Sequence, residues 1–157
     1  MIGPRVLRLA KLCGTALTLT LMAGACDNPF GPDDQDEIRE QRRIWEGRQI
    51  DDYSFEITRR CFCPFIGWIR ATVVDGAITE LTIIDPDVAE LQIPLDGYPT
   101  LTELFDLLED AVERNASSIS VDWDADYGFP VDIYIDYEEN TADEELGYEV
   151  RAFTPTS

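Results

Sequence analysis

The sequence predicts an α+β domain in which an antiparallel sheet of about six strands carries two helices packed on one face. Three observations point there. Six short stretches alternate apolar and polar residues, two longer ones place apolar residues at helical spacing, and the links between neighbouring strands are short. The order is helix and three strands, then helix and three strands again. That is a candidate αβββ duplication, although residue identity between the halves is slight.

The first helix is expected over Asp36–Gln49, a run of good helix formers with Ile38, Ile44 and Trp45 as apolar anchors. Tyr53, Phe55 and Ile57 then alternate with Ser54 and Glu56, the pattern of a half-buried strand. From Trp68 to Ile84 two β-branched runs flank Asp75-Gly76. That dipeptide readily takes positive φ at both turn positions and predicts a two-residue hairpin. A long connection over 85–99 is broken by Pro86, Pro94 and Pro99. The second helix opens on a capping box, Thr100-Leu101-Thr102-Glu103, and carries a stripe of Leu101, Leu104, Phe105, Leu107, Leu108, Ala111 and Val112. Asn115 is its expected stop, because Asn tolerates the left-handed conformation. Three more strands follow, alternating on Ile119, Val121 and Trp123, on Val131, Ile133 and Ile135, and on Leu146, Tyr148, Val150 and Ala152.

The N-terminus reads as a targeting segment over residues 1–25. Arg5, Arg8 and Lys11 precede an apolar run, Leu12 to Ala25. At roughly 14 residues that run is shorter than the ~20 needed to span a bilayer. It ends in Leu21-Met22-Ala23-Gly24-Ala25-Cys26, which resembles the lipobox of bacterial lipoproteins, with Cys26 acylated as the new N-terminus. Ala23-Gly24-Ala25 also satisfies the small-residue rule for ordinary cleavage, so a freely secreted chain is the alternative. Residues 26–35, rich in Asp, Pro and Gly, are expected to form a flexible tether, leaving a single α+β domain over 36–157. The expected place is the bacterial cell envelope, anchored to the membrane by lipid and facing the extracytoplasmic side.

Charge excludes some partners. The chain holds 32 acidic residues, 12 basic ones and no histidine, for a formal charge of −20. Phosphate binding needs a basic patch, so no nucleic-acid partner is expected. General solubility, adaptation to a salty habitat and an acidic binding face are the competing readings of this balance.

From Asp52 onward the order of motifs is specific. Asp52-Tyr53-Ser54-Phe55-Glu56-Ile57 leads to Cys61-Phe62-Cys63-Pro64, then Val73–Ile78 (VVDGAI) and Tyr98–Ala111 (YPTLTELFDLLEDA). The turn Asp124-Ala125-Asp126-Tyr127-Gly128-Phe129-Pro130 follows, then DIYIDY from Asp132 and a closing YEVRAF from Tyr148. Over about 100 residues this resembles a family of uncharacterised bacterial secreted and lipoprotein domains, a domain of unknown function with a Cys-x-Cys-Pro and Gly-Tyr/Phe-Pro pattern. The resemblance implies an envelope location and architecture. It assigns no catalytic or ligand residue.

The candidate sites are few. Cys61 and Cys63 are the two thiols left once Cys13 departs with the signal and Cys26 is acylated. Two residues apart in an extended strand means about 6.6 Å, whereas a disulfide wants Cβ atoms about 3.8 Å apart. A Cys61–Cys63 disulfide therefore needs the strand to end or turn, and Pro64 gives a reason for it to do so. A soft metal on the two thiolates and redox chemistry, with Arg59 and Arg60 as nearby cations, are the rival readings. Zinc lacks histidine to complete four ligands. Asp122, Asp124, Asp132 and Asp136 are candidates for Ca²⁺ binding on an acidic sheet face. The run Asp122-Trp123-Asp124-Ala125-Asp126 suits an oxygen-ligand loop but departs from an EF-hand: Tyr127 takes the Gly position and Ile133 the Glu position. Without histidine, Ser-His and Cys-His nucleophile systems are excluded, and no phosphate loop is present. The expectation is a non-enzymatic envelope lipoprotein with no cofactor. It would bind a protein or small-molecule partner through the exposed sheet face or the 85–99 connection.

Overall fold

The computed structural model describes residues 32–61, 67–84, 93–138 and 144–156. The signal segment, Cys26, most of the expected tether, Cys63 and the middle of the long connection lie outside them. Helix α1 spans Pro32–Gly47, then β1 spans Tyr53–Arg60, β2 Ile69–Val74 and β3 Ala77–Ile83. A short 3₁₀ turn at Leu95–Gly97 precedes α2, Leu101–Glu113, and β4 (Ser118–Trp123), β5 (Pro130–Asp136) and β6 (Glu145–Pro155) complete the chain. All six strands form one antiparallel sheet in the order β3-β2-β1-β6-β5-β4. The α+β class and the one-sided helix layer are as the sequence predicts. Helix α1 starts four residues before Asp36, within the stretch assigned to the tether, with Pro32 at a position where its missing N–H costs nothing.

Local chemistry accounts for the boundaries. Asp75 and Gly76 both take positive φ, 53° and 74°, which closes the β2–β3 hairpin. The Thr100 hydroxyl accepts from the Glu103 amide at 3.1 Å, and the Glu103 carboxylate accepts from the Thr100 amide at 2.7 Å. One more orphan donor of α2, the Leu101 amide, reaches the Tyr53 hydroxyl at 3.2 Å. Asn115 stops the helix with φ of 54°.

The core lies between the helices and one face of the sheet. Leu101, Leu104, Phe105, Leu108 and Ala111 of α2 are fully buried, against Phe55 and Ile57 of β1, Ile69 of β2 and Ile135 of β5. Helix α1 contributes Ile38 and Trp45. The Trp45 indole sits edge-on to Tyr53, Phe129 and Phe153 at 5.5–5.8 Å and donates to the Thr102 hydroxyl at 3.1 Å. Tyr53 thus touches α1 by its ring and α2 by its hydroxyl, which places both helices on the same face.

Two features depart from simple alternation. In β6 the alternation holds through Tyr148 and Val150, but Ala152 takes φ of 52° in a bulge opposite β1. The extra residue leaves Ala152 exposed and turns Phe153, not Ala152, onto the aromatic cluster. The two αβββ halves also share element order without being superposable copies. Strands 3-2-1 recur as 6-5-4, but β1 and β6 run antiparallel, so each strand's direction inverts between halves. A rotation that keeps the order and reverses direction also flips the sheet face. That would put α2 opposite α1, and it is not there.

The β4–β5 turn is where α1 rests on the second half. Asp124 accepts from the amides of Asp126 and Tyr127, and Gly128 takes φ of 81°. A Cβ at Gly128 would lie 2.9 Å from Ile44 and 3.1 Å from the Gln41 carbonyl of α1, whereas one at Gly76 would meet nothing within 4 Å. Both substitutions strain the backbone, but only one also pushes a helix away. Gly128→Ala should therefore cost about 2–4 kcal/mol and Gly76→Ala about 1–2. Urea unfolding at neutral pH measures both, and equal costs would contradict this packing.

Candidate functional site

Two surfaces compete: the open face of the sheet and a groove on the helical side. Strand parity sends Glu56, Arg60, Arg70, Asp122, Asp132, Asp136, Glu149 and Arg151 toward the open face. Its charges are largely paired among themselves. Glu56 is only 8% exposed, held by Arg70 Nη2 at 2.6 Å and Arg151 Nε at 2.9 Å. The Arg151 guanidinium lies 3.6 Å over the Trp68 ring. The two arginines, Arg70 first, hold the Glu56 carboxyl below its ordinary range. Arg60 reaches Asp132 at 2.5 Å by crossing Gly147, where a Cβ would lie 2.8 Å from the Ile133 carbonyl.

The four candidate aspartates do not converge. Asp122 and Asp132 face each other across β4 and β5, a like-charge pair that Arg60 relieves. Asp124 has left the strand, and its carboxylate caps the following turn. Asp136 lies at the far end of β5, opposite Ser118, and accepts from the Glu138 amide at 3.2 Å. Among the described residues, no group of three or more His, Cys, Asp or Glu could hold a metal ion. Cys61 is half-buried and is the first residue after β1, so the strand ends where a bond to Cys63 requires it to end. Cys63 itself lies outside the described residues.

The groove has a different character. It is an open groove of about 620 Å³ that runs along the 3₁₀ turn and the start of α2, with Arg59, Tyr98 and Tyr148 in its wall. Arg59 shares strand parity with Tyr53, Phe55 and Ile57, so it enters on the core side, half-buried and directly opposite Tyr148. Its guanidinium lies 5.3 Å over the Tyr98 ring, and Nη1 leans on the Gly97 carbonyl at 3.4 Å. Neither Arg59 Nε nor the Tyr98 hydroxyl, both shielded from solvent, has a hydrogen-bond partner. Burial pushes the Tyr98 and Tyr148 phenols up, while the nearby Arg59 pulls each down. Both therefore remain neutral donors at neutral pH.

Arg59 stands out by its lack of a counter-charge. Arg39, Arg42, Arg43, Arg60, Arg70, Arg114 and Arg151 each pair with a carboxylate. Arg48 is exposed and donates to the Asp126 carbonyl beside the Tyr127 ring. Arg59 alone, among the described residues, is half-buried without a carboxylate partner. Sequence reading placed Arg59 with Arg60 beside the cysteines, as cations that activate a thiol. The alternation of β1 separates them, one to each face, and that parity was the available signal.

Comparison with known families adds one finding. Residues 37–155 match the model of a family of unknown function, DUF6174. The chain belongs to this family. No curated protein matches the chain, and no solved structure does. Within this DUF6174 domain, several stretches that marked the resemblance occupy scaffold positions. Asp124, Gly128 and Phe129 shape the turn under α1, Thr100 and Glu103 cap α2, and Asp75-Gly76 closes the hairpin.

The Glu56 cluster gives a pH dependence with a definite sign. Its folded pKa is depressed, so its contribution is complete above the unfolded value near 4.5 and disappears as pH falls through the folded one. The difference in Tm between the parent and Glu56→Gln should be largest above about pH 5 and should shrink on acidification. A difference that stays constant from pH 7 to pH 3 would contradict the cluster.

Proposed function

We propose that this DUF6174 chain is a non-enzymatic cell-envelope lipoprotein, tethered through acylated Cys26, whose domain binds a partner in the groove at Arg59. The observation that carries the binding reading is the groove itself. It combines a half-buried arginine and buried polar atoms that have, among the described residues, no counter-ion and no hydrogen-bond partner respectively, and unpaired buried donors cost stability unless a ligand repays them. The open sheet face supports binding less well, because its arginines are already paired with Glu56 and Asp132. The tether rests on Leu21-Met22-Ala23-Gly24-Ala25-Cys26. Among the described residues no helix is long and apolar enough to cross a membrane. A Cys61–Cys63 disulfide accompanies the proposal, supported by the end of β1 at Arg60 and by Cys61 having a partner.

Shift mapping tests the groove. In two-dimensional NMR of the full chain, a mixture of small polar aromatic fragments should move the amides of Gly97, Tyr98 and Thr100 and leave Thr72 and Tyr134 in place. Shifts confined to the open face would overturn the assignment. For the anchor, a radioactive fatty acid should label the parent and not Cys26→Ser; an unlabelled parent would remove the tether.

A further inference from the structure

We infer that the groove takes an organic carboxylate, with the carboxyl group seated on Arg59. This inference rests on the groove being the binding site and specifies its chemistry. Besides the Gly97 carbonyl, which already accepts from Arg59, the polar groups that meet at this end can donate: the Arg59 guanidinium, with its unpartnered Nε–H, and the unpartnered Tyr98 hydroxyl. The Tyr148 hydroxyl, directly across the strand pair, is a third. A concentration of donors around one cation selects an acceptor that carries negative charge, and a planar carboxylate matches the planar guanidinium fork.

The rest of the groove sets the ligand's orientation. Ile78, Leu95 and Pro99 are its apolar lining, and Leu95 is half-exposed. Asp96, Glu103 and Asp106 are its acidic groups. Glu103 is engaged with the Thr100 amide and Asp106 with Arg42 at 2.7 Å. An acid directed toward those residues is repelled, so the carboxyl group goes to Arg59 and the apolar body to the lining. The chain's net charge of −20 opposes anion capture over most of its surface, which makes a half-buried arginine with no carboxylate partner among the described residues the place where an anion gains most. Because Nε and the Tyr98 hydroxyl are shielded, entry requires the segment 93–99 to shift. Within it only the 3₁₀ turn Leu95–Gly97 has no buried residue, flanked by extended Pro94 and Tyr98, and Tyr98 is the buried anchor that has to move.

The test uses two acid–amide pairs on the full isotope-labelled chain: benzoate with benzamide, for a small free acid, and N-acetylphenylalanine with its amide, for a peptide carboxyl end. In at least one pair the acid should bind tenfold or more tightly than its amide and move the Arg59 Nε–H resonance. The pair with the larger ratio identifies the source of the carboxylate. Arg59→Gln should bring that ratio close to one, and Arg59→Lys should retain part of it. Tyr98→Phe removes only the unpartnered hydroxyl, so the fold should be unaffected while acid binding weakens about threefold or more. Acids and amides that bind alike in the groove would overturn the carboxylate assignment and leave the groove reading standing. If neither acid nor amide moves a groove resonance, both are overturned.

Discussion

The pairing of β1 with β6 is the constraint on which the structure depends. It joins strands from opposite ends of the domain, with Glu56 and Arg151 bonded across 95 positions of sequence. Closing a loop of that length costs about 4 kcal/mol plus a constant. Fully burying Phe55 and Ile57 of β1, at roughly 1.5–3 kcal/mol each, contributes stabilisation of the same order. The same pairing sets Arg59 against Tyr148 on the helical face and Glu56 against Arg151 on the open one. One junction therefore builds both surfaces.

The two faces of that junction treat charge differently. On the open face Glu56, Arg70 and Arg151 satisfy one another, with Trp68 stacked beneath, and the result is a stabilising network with little capacity left for a ligand. On the helical face the loop before α2 covers Arg59 with the ring of Tyr98 and offers it only the Gly97 carbonyl. Burial of a cation without a counter-charge lowers stability. A fold that retains such a group next to a groove has a position where a bound anion raises stability through linkage. The abundance of acidic residues thus marks the site indirectly, because among the described residues nearly every other arginine finds a carboxylate.

Much of the scaffold was legible in the sequence because it rests on local chemistry. Asp75-Gly76, the Thr100–Glu103 box, Asn115 and the stripe from Leu101 to Val112 each act over a few residues, and the structure places each as its chemistry requires. The bulge at Ala152 was not legible, since tertiary packing by Phe153 decides it, and the early start of α1 was missed because the Pro- and Asp-rich composition before Asp36 was read as tether although Pro suits a first helical turn. The acidic site failed for a related reason. Alternation correctly put Asp122, Asp132 and Asp136 on one face, but it carries no information about Arg60 reaching in, or about Asp124 turning to cap. Arg59 was half-legible: its parity with Ile57 marks it as inward-facing, but its neighbour Tyr98 comes from a distant loop. The candidate duplication was a correct reading of element order. Direction and face, which distinguish a copied unit from a recurring order, exist only in three dimensions.

Native-state hydrogen exchange measures the central claim most directly, which is that the β1–β6 junction makes the two halves one cooperative unit. Amides of Phe55, Ile57 and Val150 should exchange only through global unfolding. Those of Ile135 in β5 and Leu108 in α2 should join them at the same free energy as denaturant is raised. Exchange of β4–β6 at a distinctly lower free energy than α2 and β1–β3 would show two separable units and contradict the account.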